Sequence, residues 1–158
     1  MRYSKLHFFV VLPILIFLIW ISCKPEERHP IPEVYVNFTI NILSDPEFYS
    51  LRTPGNSAVI TNSTLGYLSL GYSNSGVIVY NAGDGEFFAF DRTCPHDIPK
   101  IVVVQIEPAG IYAECPECGS MFVLPSMGYP SIGSPSKWPL KEYSAIYNPN
   151  TGEIYITN

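Results

Sequence analysis

Residues 91–122 read DRTCPHDIPKIVVVQIEPAGIYAECPECGSMF. Two pairs of soft-metal ligands, Cys94-x-His96 and Cys115-x-x-Cys118, flank eighteen residues rich in β-branched and apolar types. Pro95 and Pro116 each follow a cysteine, removing a backbone donor and stiffening φ, and Gly119 lets the chain turn just after the last ligand. Two rigid turns of this kind, facing one another, make a cage for a soft metal centre.

Working outward, each ligand pair follows a strand signal. Val77 to Tyr80 and Glu86 to Phe90 are apolar runs joined by a stretch with an Asp-Gly pair, the mark of a hairpin, and the second run leads to Cys94. Ile101 to Ile106 and Ile111 to Glu114 form a second expected hairpin that ends at Cys115. Upstream, Val34 to Ile42 alternates with period two and puts Val34, Val36, Phe38, Ile40 and Ile42 on one face. Ser44-Asp45-Pro46 and Thr53-Pro54-Gly55-Asn56 are turns, with short strands expected at Phe48 to Leu51 and Ala58 to Thr61. Gly66 and Gly71 weaken Leu65 to Tyr72 as a strand. No stretch after residue 34 carries a capped helical period. The expectation is an all-β fold, an antiparallel sandwich or barrel, in which a small subdomain fixes both ligand turns.

The N-terminus divides from this domain by composition. Arg2 and Lys5 precede an apolar run from Phe8 to Ile21, and Trp20-Ile21-Ser22-Cys23 has the form of a lipoprotein cleavage site. The run is short of the roughly twenty residues a spanning helix needs. Residues 1–22 are thus expected to be a lipoprotein signal peptide, Cys23 the lipidated residue, 23–33 an extended tether and 34–158 the domain. His29, in the tether, is expected to be solvated. Such a chain belongs in a bacterial cell envelope, lipid-anchored at the periplasmic or outer surface. The formal charge is −5, and losing the signal removes Arg2 and Lys5 and no acid, leaving −7; nucleic acid is not an expected partner.

Four cysteines occur, and with Cys23 lipidated the three left in the domain all lie in the two ligand turns. Three thiols cannot pair completely. Beside a histidine, in an exported chain, the odd thiol points to a metal centre. His96 is the only histidine of the domain, since His7 lies in the signal and His29 in the tether.

This pattern resembles the Rieske iron-sulfur family, whose motif is C-x-H, a spacer, then C-x-x-H, often followed by Gly-Ser and an aromatic residue after one more. Cys94, His96 and Cys115 fall on the first three ligand positions and Gly119-Ser120-Met121-Phe122 on the segment after the fourth. At the fourth position Cys118 stands where the family has His. The resemblance covers about Val34 to Asn158, including a Gly133-Ser134-Pro135 loop and closing strands around Leu140 to Tyr143 and Gly152 to Ile156. It implies a 2Fe-2S cluster with Cys94 and Cys115 on one iron and His96 and Cys118 on the other, and a hydrogen bond from Ser120 to the cluster sulfur. Replacing one imidazole by a thiolate adds a negative charge, which places the expected potential between about −350 and 0 mV. Asp91 matches a residue that ends a strand, and here reads as a capped turn together with Asp97. Met121, Phe122, Tyr129, Trp138 and Tyr143 are expected to form core or lid over the site.

The resemblance implies a membrane-anchored electron carrier whose partner is an unidentified redox protein, or a ferredoxin component or small subunit of an oxidoreductase. Catalysis by the chain alone is not expected, because no oxygenase-type catalytic domain, Ser-His-Asp set or phosphate loop is present in the sequence. Three thiolates and one imidazole also suit tetrahedral zinc. The same turns could therefore belong to an exported structural or binding module that holds zinc, or to one that has lost its metal and bridged two of its cysteines.

Overall fold

A computed structural model describes residues 28–66, 70–96 and 98–158. The expected signal, Cys23 with its expected lipidation, and Asp97 lie outside the described residues. The described chain is all-β: β1 (Asn37–Asn41), β2 (Ser57–Ile60), β3 (Val77–Gly83), β4 (Glu86–Asp91), β5 (Gln105–Ile106), β6 (Tyr112–Glu114), β7 (Met121–Val123), β8 (Tyr129–Pro130), β9 (Glu142–Asn148) and β10 (Glu153–Thr157). They form two antiparallel sheets, one ordered β1-β10-β9-β4-β3-β2 and one ordered β5-β6-β7-β8. The antiparallel sandwich with a small site-bearing subdomain is the fold class the sequence led one to expect.

β9 is where the large sheet curls. Its first residues, Glu142 and Tyr143, pair with β4, and Ser144 to Asn148 pair with β10. Two leaves thus fold over one core, in which Phe38, Ile40, Ile154 and Ile156 from one leaf meet Val77, Val79, Phe87 and Ala89 from the other. The alternation seen in Val34 to Ile42 is the inward face of the first leaf. The opposite face of β3 and β4 carries Ile78, Tyr80 and Phe90 into a second core with Val104, Ala113, Phe122, Leu124 and Leu140 from the smaller sheet. Strands buried on both faces need no polar alternation, which is why β3 begins as an unbroken apolar run.

Two strand expectations change, and the weakened stretch from Leu65 starts as something else. Phe48 to Leu51 is not a strand but part of a 3-10 helix, Pro46–Arg52, whose Asp45 cap accepts from the Glu47 N–H and whose Pro46 starts the turn. Ile101 to Ile106 yields only the two residues of β5 and a single bridge, Thr93 to Val103, because Ile101 sits at φ +51. Leu65 begins no strand: Asn62–Leu65 is one helical turn, α1, ended by Gly66 at φ +83.

The stretch expected as a tether lies, from His29 on, against the domain. Ile31 is 1% exposed, His29 Nε2 is 3.0 Å from the Pro139 carbonyl oxygen, and the Ile31 N–H donates to His29 Nδ1 at 3.1 Å. These contacts fix the tautomer with the proton on Nε2. The ring meets Trp138 edge-on with centroids 5.7 Å apart, and Glu33 pairs with Lys141. His29 is therefore a docking residue and not a solvated one.

Candidate metal centre

Two strand ends deliver the sulfurs. β4 stops at Asp91, and the chain then turns back along the smaller sheet, with the Cys94 N–H donating to the Val102 carbonyl at 2.8 Å. β6 stops at Glu114; the Cys115 N–H donates to the Ser120 carbonyl and the Gly119 N–H to the Cys115 carbonyl, both at 2.9 Å. Gly119 adopts φ +70, a conformation that costs other residues energy, and so closes the second turn. The sulfurs of Cys94, Cys115 and Cys118 lie within 4.8 Å of one another, and those of Cys94 and Cys118 are 3.7 Å apart. All three are free thiols, so no cysteine pair of the described domain is bridged.

His96 is exposed and lines the same cavity of about 200 Å³ as the three cysteines, together with Lys100, Val102 and Glu117. It stands outside the tight group of sulfurs. Lys100 and Glu117 form an ion pair at 2.5 Å across two walls of that cavity. By donor type, three sulfurs converging from two turns and an imidazole on the same cavity suit either a cluster or a single soft cation.

The sulfurs are not equivalent. Burial pushes the Cys94 thiol up, and the neighbouring Cys115 adds to this, outweighing the His96 backbone N–H. Burial also acts on Cys118, but donation from the Ser120 hydroxyl and N–H, and from the two other thiols, overcomes it and brings its pKa below the ordinary value. Of Cys94 and Cys118, it is thus Cys118 that more readily becomes a thiolate. Ser120 Oγ lies 3.1 Å from the Cys118 sulfur and accepts from the Ser136 N–H at 2.9 Å, which leaves the Ser120 proton free to point at sulfur. Ser136 itself is held by hydrogen bonds with Trp138.

Asp91 is more than a capped turn. Its carboxylate is fully buried and accepts from the Tyr72 N–H (2.5 Å), the Thr93 N–H (2.7 Å), the Ser75 hydroxyl (2.9 Å) and the Tyr143 hydroxyl (2.7 Å). One side chain thereby ties β9, the 71–76 loop and the start of the first ligand turn together. Sequence reasoning missed this role, and it missed Ser136. Of the expected lid residues, Phe122 is fully buried on the site side, Tyr143 is buried at Asp91, and Tyr129 is 58% exposed.

No protein-family model and no curated protein matches the chain. Among solved structures, it is similar to a protein described as the small subunit of an NADH-dependent nitrite reductase from Mycobacterium tuberculosis, at 17% identity and TM-score 0.42, covering 80% of this chain and 97% of that one. It is also similar to the ferredoxin of carbazole 1,9a-dioxygenase from Nocardioides aromaticivorans IC177, at 16% identity and TM-score 0.44, covering 78% and 97%. At these values the likeness is one of general architecture and carries no statement of function.

Proposed function

We propose that the chain is a lipid-anchored electron carrier of the bacterial cell envelope, with Cys94, Cys115, Cys118 and His96 holding a 2Fe-2S cluster. The observation that carries this reading is the convergence of three free sulfurs from two separate strand ends on a cavity that His96 also lines. Such a group, when bound, supplies reversible one-electron transfer at a potential set by its ligands and hydrogen bonds. The protein's own part is to shield two of the four ligands from solvent and to tune the charge of the set. Cys94 and Cys115 are buried against Phe122, Leu124 and Val104, while Cys118 and His96 face outward, so one side of the site is insulated and the other open to a redox protein. Ser120, oriented by the Ser136 N–H, donates toward sulfur and stabilises the more negative state.

Zinc is a second reading with an observation of its own. The 3.7 Å between the Cys94 and Cys118 sulfurs matches the edge of about 3.8 Å expected for a tetrahedron with metal–sulfur bonds of about 2.3 Å. Absorption and metal content of protein purified without air separate the two. Visible bands with two irons and acid-labile sulfide per chain are expected. A colourless protein with one zinc would overturn the electron-carrier reading.

A further inference from the structure

We infer that the docked segment at His29 to Ile31 turns the metal-centre end of the domain toward the membrane, so that the face around Trp138 rests on the bilayer surface. This deepens the lipid-anchored reading of Cys23 and rests on it. The chain enters the fold beside the site and not at the far end of the sheets: Pro30 lines a groove of about 280 Å³ with Pro95, His96, Pro135, Lys137 and Trp138. His29 and Ile31 fasten the segment on either side of Pro30 through Pro139, Trp138 and a fully buried aliphatic side chain.

The length of chain before this point then limits where the domain can sit. Cys23 is five residues before Arg28, a reach of at most about 18 Å even when fully extended. A domain of this size has a radius of gyration of about 14 Å, hence a width of about 36 Å taken as a sphere, so its remote end lies beyond that reach. A lipid on Cys23 would therefore bring the groove, and His96 within it, to the headgroup layer.

The chemistry of the face suits that layer. Trp138 presents an apolar ring with a polar N–H, the kind of side chain enriched at membrane interfaces. Lys137 is exposed and offers a cation to anionic headgroups. Ile132, three residues before Pro135 in the same loop, is entirely exposed. The occupant we commit to is an anionic bilayer surface.

Hydrogen exchange of the full lipidated chain on phosphatidylcholine/phosphatidylglycerol vesicles tests this. The comparison is a chain with about fifteen Gly/Ser residues inserted after Lys24, a flexible coil that frees the domain without touching its sequence. Amides of 131–138 are expected to exchange several-fold more slowly in the native chain than in the lengthened one. A double variant, His29→Ala with Ile31→Ala, should lose the same protection while keeping wild-type metal content and vesicle attachment. Equal exchange in the native and lengthened chains overturns the proposal, whether both are fast or both are slowed, as a second copy of the chain on the groove would make them. A native chain that does not sediment with vesicles overturns the lipid anchor itself, and the orientation with it.

Discussion

Tyr143 keeps its proton because burial and the adjacent Asp91 carboxylate both disfavour the phenolate, which raises its pKa well above the ordinary tyrosine value. The folded state then holds this proton more tightly than the unfolded chain. The associated stability is fully present below about pH 10, the unfolded value, and is lost as pH rises past it, by up to about 1.4 kcal/mol per pH unit. Urea titrations between about pH 9 and 11.5 should show that slope, and Tyr143→Phe should reduce it while costing about 1.5–3 kcal/mol at neutral pH for the lost bond to a charged group. At the site, Cys118→His is the informative exchange. If Cys118 ligates the proposed cluster, the exchange replaces a thiolate by a neutral ligand, so the reduction potential should rise, on the order of 100 mV or more, and become more steeply pH-dependent as a second imidazole can release a proton. Voltammetry from about pH 5 to 10 reads both effects; unchanged potential and slope would remove Cys118 from the ligand set. The ligands were legible because their types and spacing are local. Asp91 was not, since its partners Tyr72, Ser75 and Tyr143 lie 19, 16 and 52 residues away and nothing in the sequence ties them to it.

Among the elements, the 71–76 loop depends on a glycine with no room for a side chain. Gly71 has φ +74, and an added Cβ would lie 2.6 Å from the Gly76 carbonyl oxygen and 2.9 Å from Asp91 Oδ2. Gly71→Ala should therefore displace the Tyr72 N–H from the carboxylate and destabilise the domain by about 2–4 kcal/mol, from backbone strain plus a buried polar group left short of a partner. A denaturation midpoint shift below that of a surface Gly→Ala, for example at Gly133, which meets nothing within 4 Å, would show the loop to be yielding. The 3-10 helix at Pro46–Arg52 shows where pattern reading went astray. Phe48 and Leu51, the two residues it buries, are three apart, a spacing that one face of a helical turn satisfies and a strand does not. Flanking turn signals and a short apolar run outweighed that period. β3 and β4, by contrast, were plain in the sequence because a doubly buried hairpin has no other way to look.

For the molecule as a whole, the smaller sheet is short: β5 and β8 have two residues each and β6 and β7 three. Its loops are held at one end by the second core and, in the proposed metal-bound state, at the other by the group on the three sulfurs. Removing the metal should therefore loosen residues 94–120 selectively, with proteolysis or amide exchange rising there while the β1-β10-β9 leaf stays protected. Uniform exchange before and after chelation would mean that the thiol site contributes nothing to the fold. The all-β class and the site-bearing subdomain were readable from residue pattern alone. The docking of His29 and Ile31 was not, because a short run of prolines and charges has the composition of a solvated linker and its contacts, such as Pro139, are over a hundred residues distant.

The pairing of β1 with β10, in register from Asn37 with Thr157 to Asn41 with Glu153, joins the first strand of the domain to the last. The Asn158 N–H reaches the Val36 carbonyl beside it. A ribosome makes β1 well before β10, its one sheet neighbour among the described residues, so until β10 has been made that edge has nothing to close on. The leaf that covers the larger core can therefore be completed only after Glu153–Thr157 has emerged, so this part of the fold closes late in synthesis however early its first strand is made.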